Sequence, residues 1–229
     1  MREFLQIGIL PVMLTLLSYQ LGLSCQRKFR LALLNPLLIA VVLVIAALKV
    51  LGMDTNQYQQ EMNWISWLLT PATVSLAVPM YEQVRALRKN LKAILAGVAA
   101  GMLSCLIILL VGMVLAGFPR ELTVSLLPKG ITTAIALPLV EMFEGTGSIT
   151  MLGICVTGIF GNMLGSEICR LFRITDPVAM GVAFGTGSHV IGTTKAAELD
   201  PLTGAVGSLS LVVAGLLTAA VFPVLVSFL

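Results

Sequence analysis

Charged residues are scarce in this sequence. Only 11% of its 229 residues are Asp, Glu, Lys or Arg, whereas 58% are hydrophobic and the mean hydropathy is +1.00. A water-soluble domain carries roughly 25% charged residues. The composition therefore excludes an ordinary soluble protein, and its long apolar segments predict an all-α polytopic membrane protein.

Several kinds of functional site are also missing. Aromatic residues make up 6% of the chain and no broad basic patch is present, which argues against nucleic-acid binding. The sequence contains neither a GxxxxGK[ST] loop nor an HExxH motif or acidic cluster. Ser188 and His189 are adjacent, so on a helix they point apart and cannot form a nucleophile and base pair. We expect no enzyme, no metal and no cofactor.

Eight apolar segments of membrane length follow one another along the chain. We therefore predict a single integral membrane domain over residues 1–229. The segments are 4–24, 32–52, 62–81, 92–117, 121–141, 148–170, 177–197 and 203–228.

Basic residues predict the orientation. Clusters follow segment one (Arg27 to Arg30) and segment three (Arg85 to Lys92), so the positive-inside rule makes those loops cytoplasmic and places the N-terminus outside. A further basic loop, Arg170 to Arg173, would then fall outside if segment five crossed the membrane. The rule therefore favours a segment five that is broken or returns to its own side.

Composition separates two kinds of segment. Most are rich in Leu, Val, Ile and Ala, and the glycines of segment six (Gly158, Gly161 and Gly165 among them) fit close helix packing. Segments three, five and seven instead place proline or glycine beside hydroxyl residues. Irregular backbone at membrane depth is tolerated only where it is buried in protein or lines a wet cavity. The predicted helix-break residues are Thr70, Pro71, Pro79, Pro128, Gly130, Gly185 and Gly187.

This difference divides the chain by role. We expect residues 1–117 to be scaffold, apart from broken segment 62–81, and residues 121–200 to hold a substrate site. Residues 66–82 also match residues 125–141 at six of seventeen positions. That weak repeat is of the kind that transporters use to build a site at the midplane.

Two lysines remain once the other basic residues are assigned to loops or to the membrane interface. Lys129 and Lys195 lie within the irregular segments, and a charge at that depth is costly unless it is paired or hydrated. The alternative is an interfacial position with a solvated ammonium group. For Lys195, pairing with Glu198 three residues later on a helix would also account for the charge.

His189 is the only histidine. It could exchange protons near neutral pH, and a helix beginning near Ser188 would favour an anion there through its free N–H groups. The alternative is a histidine that is simply hydrogen-bonded in the core. Asn35 and Pro36, at the start of segment two, are interpreted as a helix N-cap followed by proline.

Four motifs occur in order along the chain. They are Asn35-Pro36-Leu37-Leu38, Leu69-Thr70-Pro71-Ala72 with Pro79-Met80-Tyr81-Glu82-Gln83, Leu127-Pro128-Lys129-Gly130-Ile131-Thr132-Thr133, and Ser188-His189-Val190-Ile191-Gly192-Thr193 with Glu198. This ordered set resembles the LrgB/CidB family over essentially the whole chain. Two of them depart from the family pattern, because Gly130 and Ala134 replace a serine and a proline, and Gly187 replaces an alanine.

The resemblance implies a multi-pass protein of the bacterial inner membrane. Plastidic relatives transport glycolate and glycerate, and bacterial relatives are linked to pyruvate uptake. We therefore predict a secondary transporter of small monocarboxylates, coupled to protons through His189 and Glu198. The predicted substrate-binding residues are Lys129, Thr132, Thr133, Ser188, His189, Gly192, Thr193 and Lys195.

The same resemblance also implies a second function. Family members are described as antiholin-like modulators of murein hydrolase activity and autolysis, which act with a small holin-like LrgA/CidA partner. The alternative is thus a regulatory membrane protein that moves no solute. The expected partners are a small carboxylate, membrane lipid, the holin-like protein and further copies of the chain.

Overall fold

The computed structural model of the protein describes residues 9–29 and 35–229, and all secondary structure within them is helical. Four of these helices are long and apolar enough to cross a membrane: Ile9–Lys28, Val84–Leu115, Gly147–Leu171 and Pro201–Val226. The chain is therefore an all-α, multi-pass membrane protein, as predicted. It divides into two compact units between Ser75 and Leu76.

The described residues of the first unit form four α-helices and one 3-10 helix. Asn35 caps the second helix by accepting a hydrogen bond from Leu37 N at 2.8 Å, and Pro36 is its first residue, so the predicted cap is confirmed. The Thr15 and Tyr58 hydroxyls are 2.7 Å apart. The elements are α1 (Ile9–Phe29), α2 (Pro36–Leu51), α3 (Thr55–Met62), η1 (Asn63–Leu68) and α4 (Leu69–Ser75).

The second unit contains three long helices, and the interrupted segments five and seven lie between them in the chain. Its first long helix begins earlier than the sequence predicts, so Arg85, Arg88, Lys89 and Lys92 lie in its first turns rather than in a loop. The elements are α5 (Ala77–Glu82), α6 (Val84–Leu115), α7 (Arg120–Leu126), η2 (Leu127–Gly130), α8 (Thr133–Met142), α9 (Gly147–Leu171), α10 (Pro177–Leu199) and α11 (Pro201–Val226).

Segment five is a helical hairpin, which we call hairpin 1 (residues 120–142). A straight helix would place Arg120 and Phe143 about 34 Å apart, yet Arg120 Nη1 lies 3.5 Å from Phe143 O. Thr150 Oγ1 donates to Ser125 O at 2.8 Å on the same side of the hairpin. The segment therefore returns to the side that it entered from.

Segment seven, α10, is also a hairpin. Its backbone is non-helical at His189, which separates a first leg (177–188) from a second leg (190–199). Gly181 and Thr193 would be about 18 Å apart on a straight helix. Both nevertheless contact Gly207 of α11: a Cβ there would lie 3.5 Å from Gly181 O and 3.3 Å from Thr193 Cγ2. We call this segment hairpin 2.

The two hairpins enter from opposite ends of the second unit. The first leg of hairpin 2 runs parallel to α6, since Val182 faces Gly97 and Thr186 faces Gly101. It runs antiparallel to α9, where Phe184 faces Gly165. Helices α6 and α9 are thus antiparallel, and the base of hairpin 1 lies at the end opposite to the base of hairpin 2.

This arrangement explains how the basic residues before and after segment five can lie on the same side of the membrane. Because hairpin 1 does not cross, the basic first turns of α6 and the residues Arg170 and Arg173 lie at the same end of the unit. Each leg of hairpin 2 has 10 to 12 residues, a length of about 15 to 18 Å. That is about half of a hydrocarbon core of roughly 30 Å, so a hairpin tip reaches the middle of the membrane.

Buried side chains hold hairpin 1 against the C-terminal halves of α6 and α11. Val124, Leu127 and Val140 pack with Leu106 and Phe222 in one apolar cluster. A second cluster joins the N-terminal half of α6 to α11 beside hairpin 2. The long helices therefore form a frame that brings the two tips to the same depth.

Candidate functional site at the two hairpin tips

The tip of hairpin 1 lies between its two legs, α7 and α8, where the helix is interrupted at Pro128. Pro128 has no N–H to donate and adopts non-helical angles (φ −86°, ψ 20°), so the first leg ends in the short 3-10 turn η2. Ile131 and Thr132 are extended, and α8 starts at Thr133. Lys129 and Gly130 therefore lie at the tip, directly after the non-helical Pro128.

The tip of hairpin 2 is His189. Its φ of 41° and ψ of −139° form a conformation that glycine adopts far more readily than other residues. The side chain is 2% exposed, and its Nε2 donates to Ile154 O of α9 at 2.8 Å. A non-glycine residue held in this conformation stores about 1–3 kcal/mol of strain, and such residues are concentrated at functional sites.

Three glycines of α9 form the surface that receives hairpin 2. A Cβ on Gly158 would lie 2.5 Å from His189 Cε1, and a Cβ on Gly161 or Gly165 would overlap the side chain of Ser188 or Phe184. Only glycine permits this approach. The expectation of close packing at these glycines is confirmed, although the partner is a hairpin leg and not a plain span.

The two tips lie next to each other beside a cavity. A Cβ on Gly130 would lie 3.6 Å from Thr186 O of hairpin 2. A groove of about 510 Å³ extends from Lys129 along α9 and the first leg of hairpin 2, and ends at Ile174. We call it the α9 groove. Lys129, Thr157 and Ser188 are its polar lining, and Phe160, Leu164 and Phe184 are among its apolar lining.

Lys129 is the cation of this site. Its Nζ lies 3.5 Å from Thr157 Oγ1, and among residues 9–29 and 35–229 no carboxylate forms an ion pair with it. Nor do the described residues bring three His, Cys, Asp or Glu side chains together as metal ligands. A half-buried ammonium beside the Thr157 hydroxyl can bind an anion, and Ser188 supplies a second hydroxyl to the lining of the same groove.

Lys195 lies in a different environment. Its Nζ is 2.8 Å from Glu198 Oε2, one turn later on the second leg of hairpin 2, and 32% of the lysine side chain is exposed. The predicted Lys195–Glu198 pairing is thus confirmed. Neither residue lines the α9 groove, and their roles in binding and proton coupling stay predictions.

The other predicted binding residues surround the tips without lining the groove. Thr132 and Thr133 are half-buried at the start of α8. Thr193 donates its hydroxyl to Val190 O at 2.9 Å within its own helix, and Gly192 is buried against Phe184 O. Of the predicted set, Lys129 and Ser188 line the groove, and His189 packs behind Ser188 against α9.

Several of the residues predicted to break a helix lie within helices. Pro71 and Pro79 are each the third residue of a short helix, α4 and α5, where the N–H that proline lacks has no helical partner anyway. Thr70 also lies within α4. In segment seven, Gly185 packs against Gly207 O of α11 and Gly187 faces open space, and both lie within the helical first leg. The backbone departs from helical angles at His189 instead.

Sequence reasoning missed Thr157. It lies in α9, whose residues are mostly apolar and whose glycines predict helix packing rather than binding. The available signal was its position four residues before Gly161, on the face that packs against hairpin 2. Asn162, which donates to Ile191 O at 3.0 Å just beyond the tip, carries the same signal.

Comparison with known proteins finds similar chains over nearly the whole length. Residues 15–228 match the model of the LrgB-like family. The holin-like protein CidB of Staphylococcus epidermidis (strain RP62A) is 33% identical over 226 residues, covering 99% of this chain and 98% of that protein. Holin-like protein CidB of Staphylococcus aureus (strain Mu50) is 31% identical with the same coverage. No solved structure matches the chain.

Both the family match and the relatives extend over nearly the whole length, including the two hairpins and the three helices that frame them. The chain belongs to the LrgB-like family.

Proposed function

We propose that this protein is a secondary transporter of small monocarboxylates such as pyruvate, glycolate or glycerate. The observation that supports it most is the position of Lys129, at the tip of one half-membrane hairpin and next to the tip of another. No carboxylate among the described residues forms an ion pair with its ammonium group. Transporters place their substrate sites near the midplane, where broken helices expose polar groups.

Each group at the site has a separate task in this proposal. Lys129 neutralises the carboxylate, and Ser188 and Thr157 donate hydrogen bonds to it. His189 couples transport to protons, since it is the only histidine of the chain and follows Ser188 directly. The end of the unit that carries Arg85 to Lys92 and Arg170 faces the cytoplasm of a bacterial cell, in accordance with the positive-inside rule.

Counterflow of radiolabelled pyruvate and glycolate in proteoliposomes tests the proposal. We expect Lys129→Gln to slow initial uptake at least about tenfold, equivalent to 1.4 kcal/mol of lost stabilisation, and Lys129→Arg to retain part of it. An inward proton gradient should stimulate the wild type. Lys92→Gln is the same change on the exposed face of α6. Its initial uptake rate should stay within about twofold of the wild-type rate, because exposed charges contribute little.

Two results would refute the assignment: no carboxylate-dependent uptake by the wild type, or full uptake by Lys129→Gln. The same assay on Lys195→Gln decides the second lysine. Because Lys195 is paired with Glu198 outside the α9 groove, we expect a smaller loss there than at Lys129.

The second candidate is a holin-like regulatory role with a small LrgA/CidA-type membrane partner. The names of the relatives favour this role over the transporter. It predicts that the protein binds such a partner, that induced expression changes the release of cytoplasmic enzymes from cells, and that Lys129→Gln leaves this release unaltered. Under the transporter proposal, that substitution reduces both uptake and any effect on lysis.

A further inference from the structure

A second groove also ends at Lys129. It has a volume of about 460 Å³ and follows the C-terminal half of α6, where Cys105, Ile108, Gly112 and Met113 line it as far as Phe118. We call it the α6 groove. Apart from Lys129, none of its lining residues lines the α9 groove.

The two grooves extend toward opposite ends of the unit. The α6 groove follows α6 to its C-terminal end, where hairpin 1 has its base. The α9 groove follows α9 to its C-terminal end and to Ile174, where hairpin 2 has its base. Since α6 and α9 are antiparallel, these two ends face opposite sides of the membrane.

Lys129 is therefore the one residue that the two linings share, and it lies midway between the two ends. We propose that Lys129 is a single anion site reached from both sides of the membrane, by the α9 groove from one side and by the α6 groove from the other. Its side chain is long enough to present the ammonium group to either groove while the backbone of the tip stays in place.

The chemistry of the grooves restricts what can use this path. Their other lining residues are mostly apolar, so a small anion finds its counter-charge only at Lys129. A cation would meet the repulsion of a lysine in surroundings of low dielectric constant. The path should thus select small monoanions in both directions and disfavour cations of equal size.

Two glycines offer matched reporter positions for this proposal. Gly187 lines the α9 groove and Gly112 lines the α6 groove, and a Cβ on either would have no heavy atom within 4 Å. Gly187→Cys and Gly112→Cys are each placed in the full chain with the four native cysteines replaced by alanine. Size-exclusion chromatography of every variant reports whether it folds.

Membrane-impermeant anionic and cationic methanethiosulfonate reagents of similar size are then applied from each side of sealed vesicles. Each rate is divided by the rate of the same reagent with a small free thiol in solution, which removes the intrinsic difference between the reagents. On this scale we expect the two cysteines to react from opposite sides, each at least about three times faster with the anionic reagent, because the ammonium attracts it. Lys129→Gln should remove this preference at both positions, and Lys129→Arg should preserve it.

Reaction of both cysteines from the same side would overturn the proposal, as would a charge preference that persists in Lys129→Gln at either position. The inference uses the same lysine as the proposed function, yet the two can fail separately. If Lys129 controls both cysteines but pyruvate does not slow their reaction, the two-sided anion site stands and the monocarboxylate assignment fails.

Discussion

The two hairpins have similar dimensions but are held in place by different interactions. Hairpin 1 is tied by directional hydrogen bonds at its base: the buried Ser125 hydroxyl donates to Glu121 O at 2.6 Å and accepts from Thr146 N at 2.7 Å. Thr146 Oγ1 donates in turn to the Glu121 carboxylate. Hairpin 2 is held by close packing on glycine, at Gly158, Gly161 and Gly165 of α9 and at Gly207 of α11.

This difference determines where each hairpin tolerates a substitution. Close packing on glycine extends along the length of hairpin 2 and leaves no room for added atoms. The polar ties of hairpin 1 are concentrated at its base, whereas Leu127 and Ile131 are buried on either side of its tip. We therefore expect the Lys129 side chain, rather than the backbone of the tip, to move between the two grooves.

The largest effect is expected at the glycine surface of α9. In Gly161→Val the new side chain would overlap Ser188, an overpacking that costs about 3 kcal/mol. The thermal midpoint in detergent should fall by about 9 °C for a chain of this size. Gly112→Val is the matched control, because its Cβ meets open space. Equal midpoints for the two variants would contradict the close approach of hairpin 2.

A smaller effect is expected at the base of hairpin 1. Ser125→Ala leaves the Thr146 N–H without its partner, at a cost of about 2 kcal/mol, so the midpoint should fall by about 6 °C. Ser104→Ala is the control, because the exposed Ser104 hydroxyl donates only within its own helix, to Gly101 O. A Ser125→Ala variant as stable as this control would show that packing alone holds hairpin 1.

The smallest effect is expected between two replacements of His189, at the tip of hairpin 2. His189→Gly and His189→Ala both lose the hydrogen bond to Ile154 O, but only alanine retains the cost of the positive φ. We expect the glycine variant to be the more stable by about 1 kcal/mol. At Thr194, exposed on the second leg, the order should be reversed, because alanine favours a helix interior by about 1 kcal/mol. Thermal midpoints of the four variants check this, and the same order at both positions would contradict a strained tip.

Much of the architecture could be predicted because it depends on local chemistry. Pro128 lacks the N–H that a helix interior needs, and the basic residues Arg170 and Arg173 favour a segment five that is broken or returns to its own side. In the structure Pro128 has non-helical angles, and the segment turns back at this point. The break at His189 could not be predicted in the same way, because a positive φ is uncommon even at histidine, and the neighbouring glycines were the more plausible positions.

The separation of the two lysines shows a similar limit. Lys129 and Lys195 have the same surroundings in sequence, with threonines and glycines nearby. The fold pairs Lys195 with Glu198 and directs Lys129 into two grooves. Thr157 was missed because a single hydroxyl in an apolar helix carries no signal until its neighbour across the interface is known.

The sparse charge that identifies this chain as a membrane protein also limited the candidates to two lysines and one histidine. Composition, helix-breaking residues and basic loops act over a few residues or through the membrane itself, so the sequence alone determined the class and indicated which segments are irregular. Tertiary structure decided that segment seven also turns back, that the two tips meet, and that Lys129 lies between two grooves. Those facts depend on which distant surfaces can approach each other, and here glycines on α9 and α11 permit that approach.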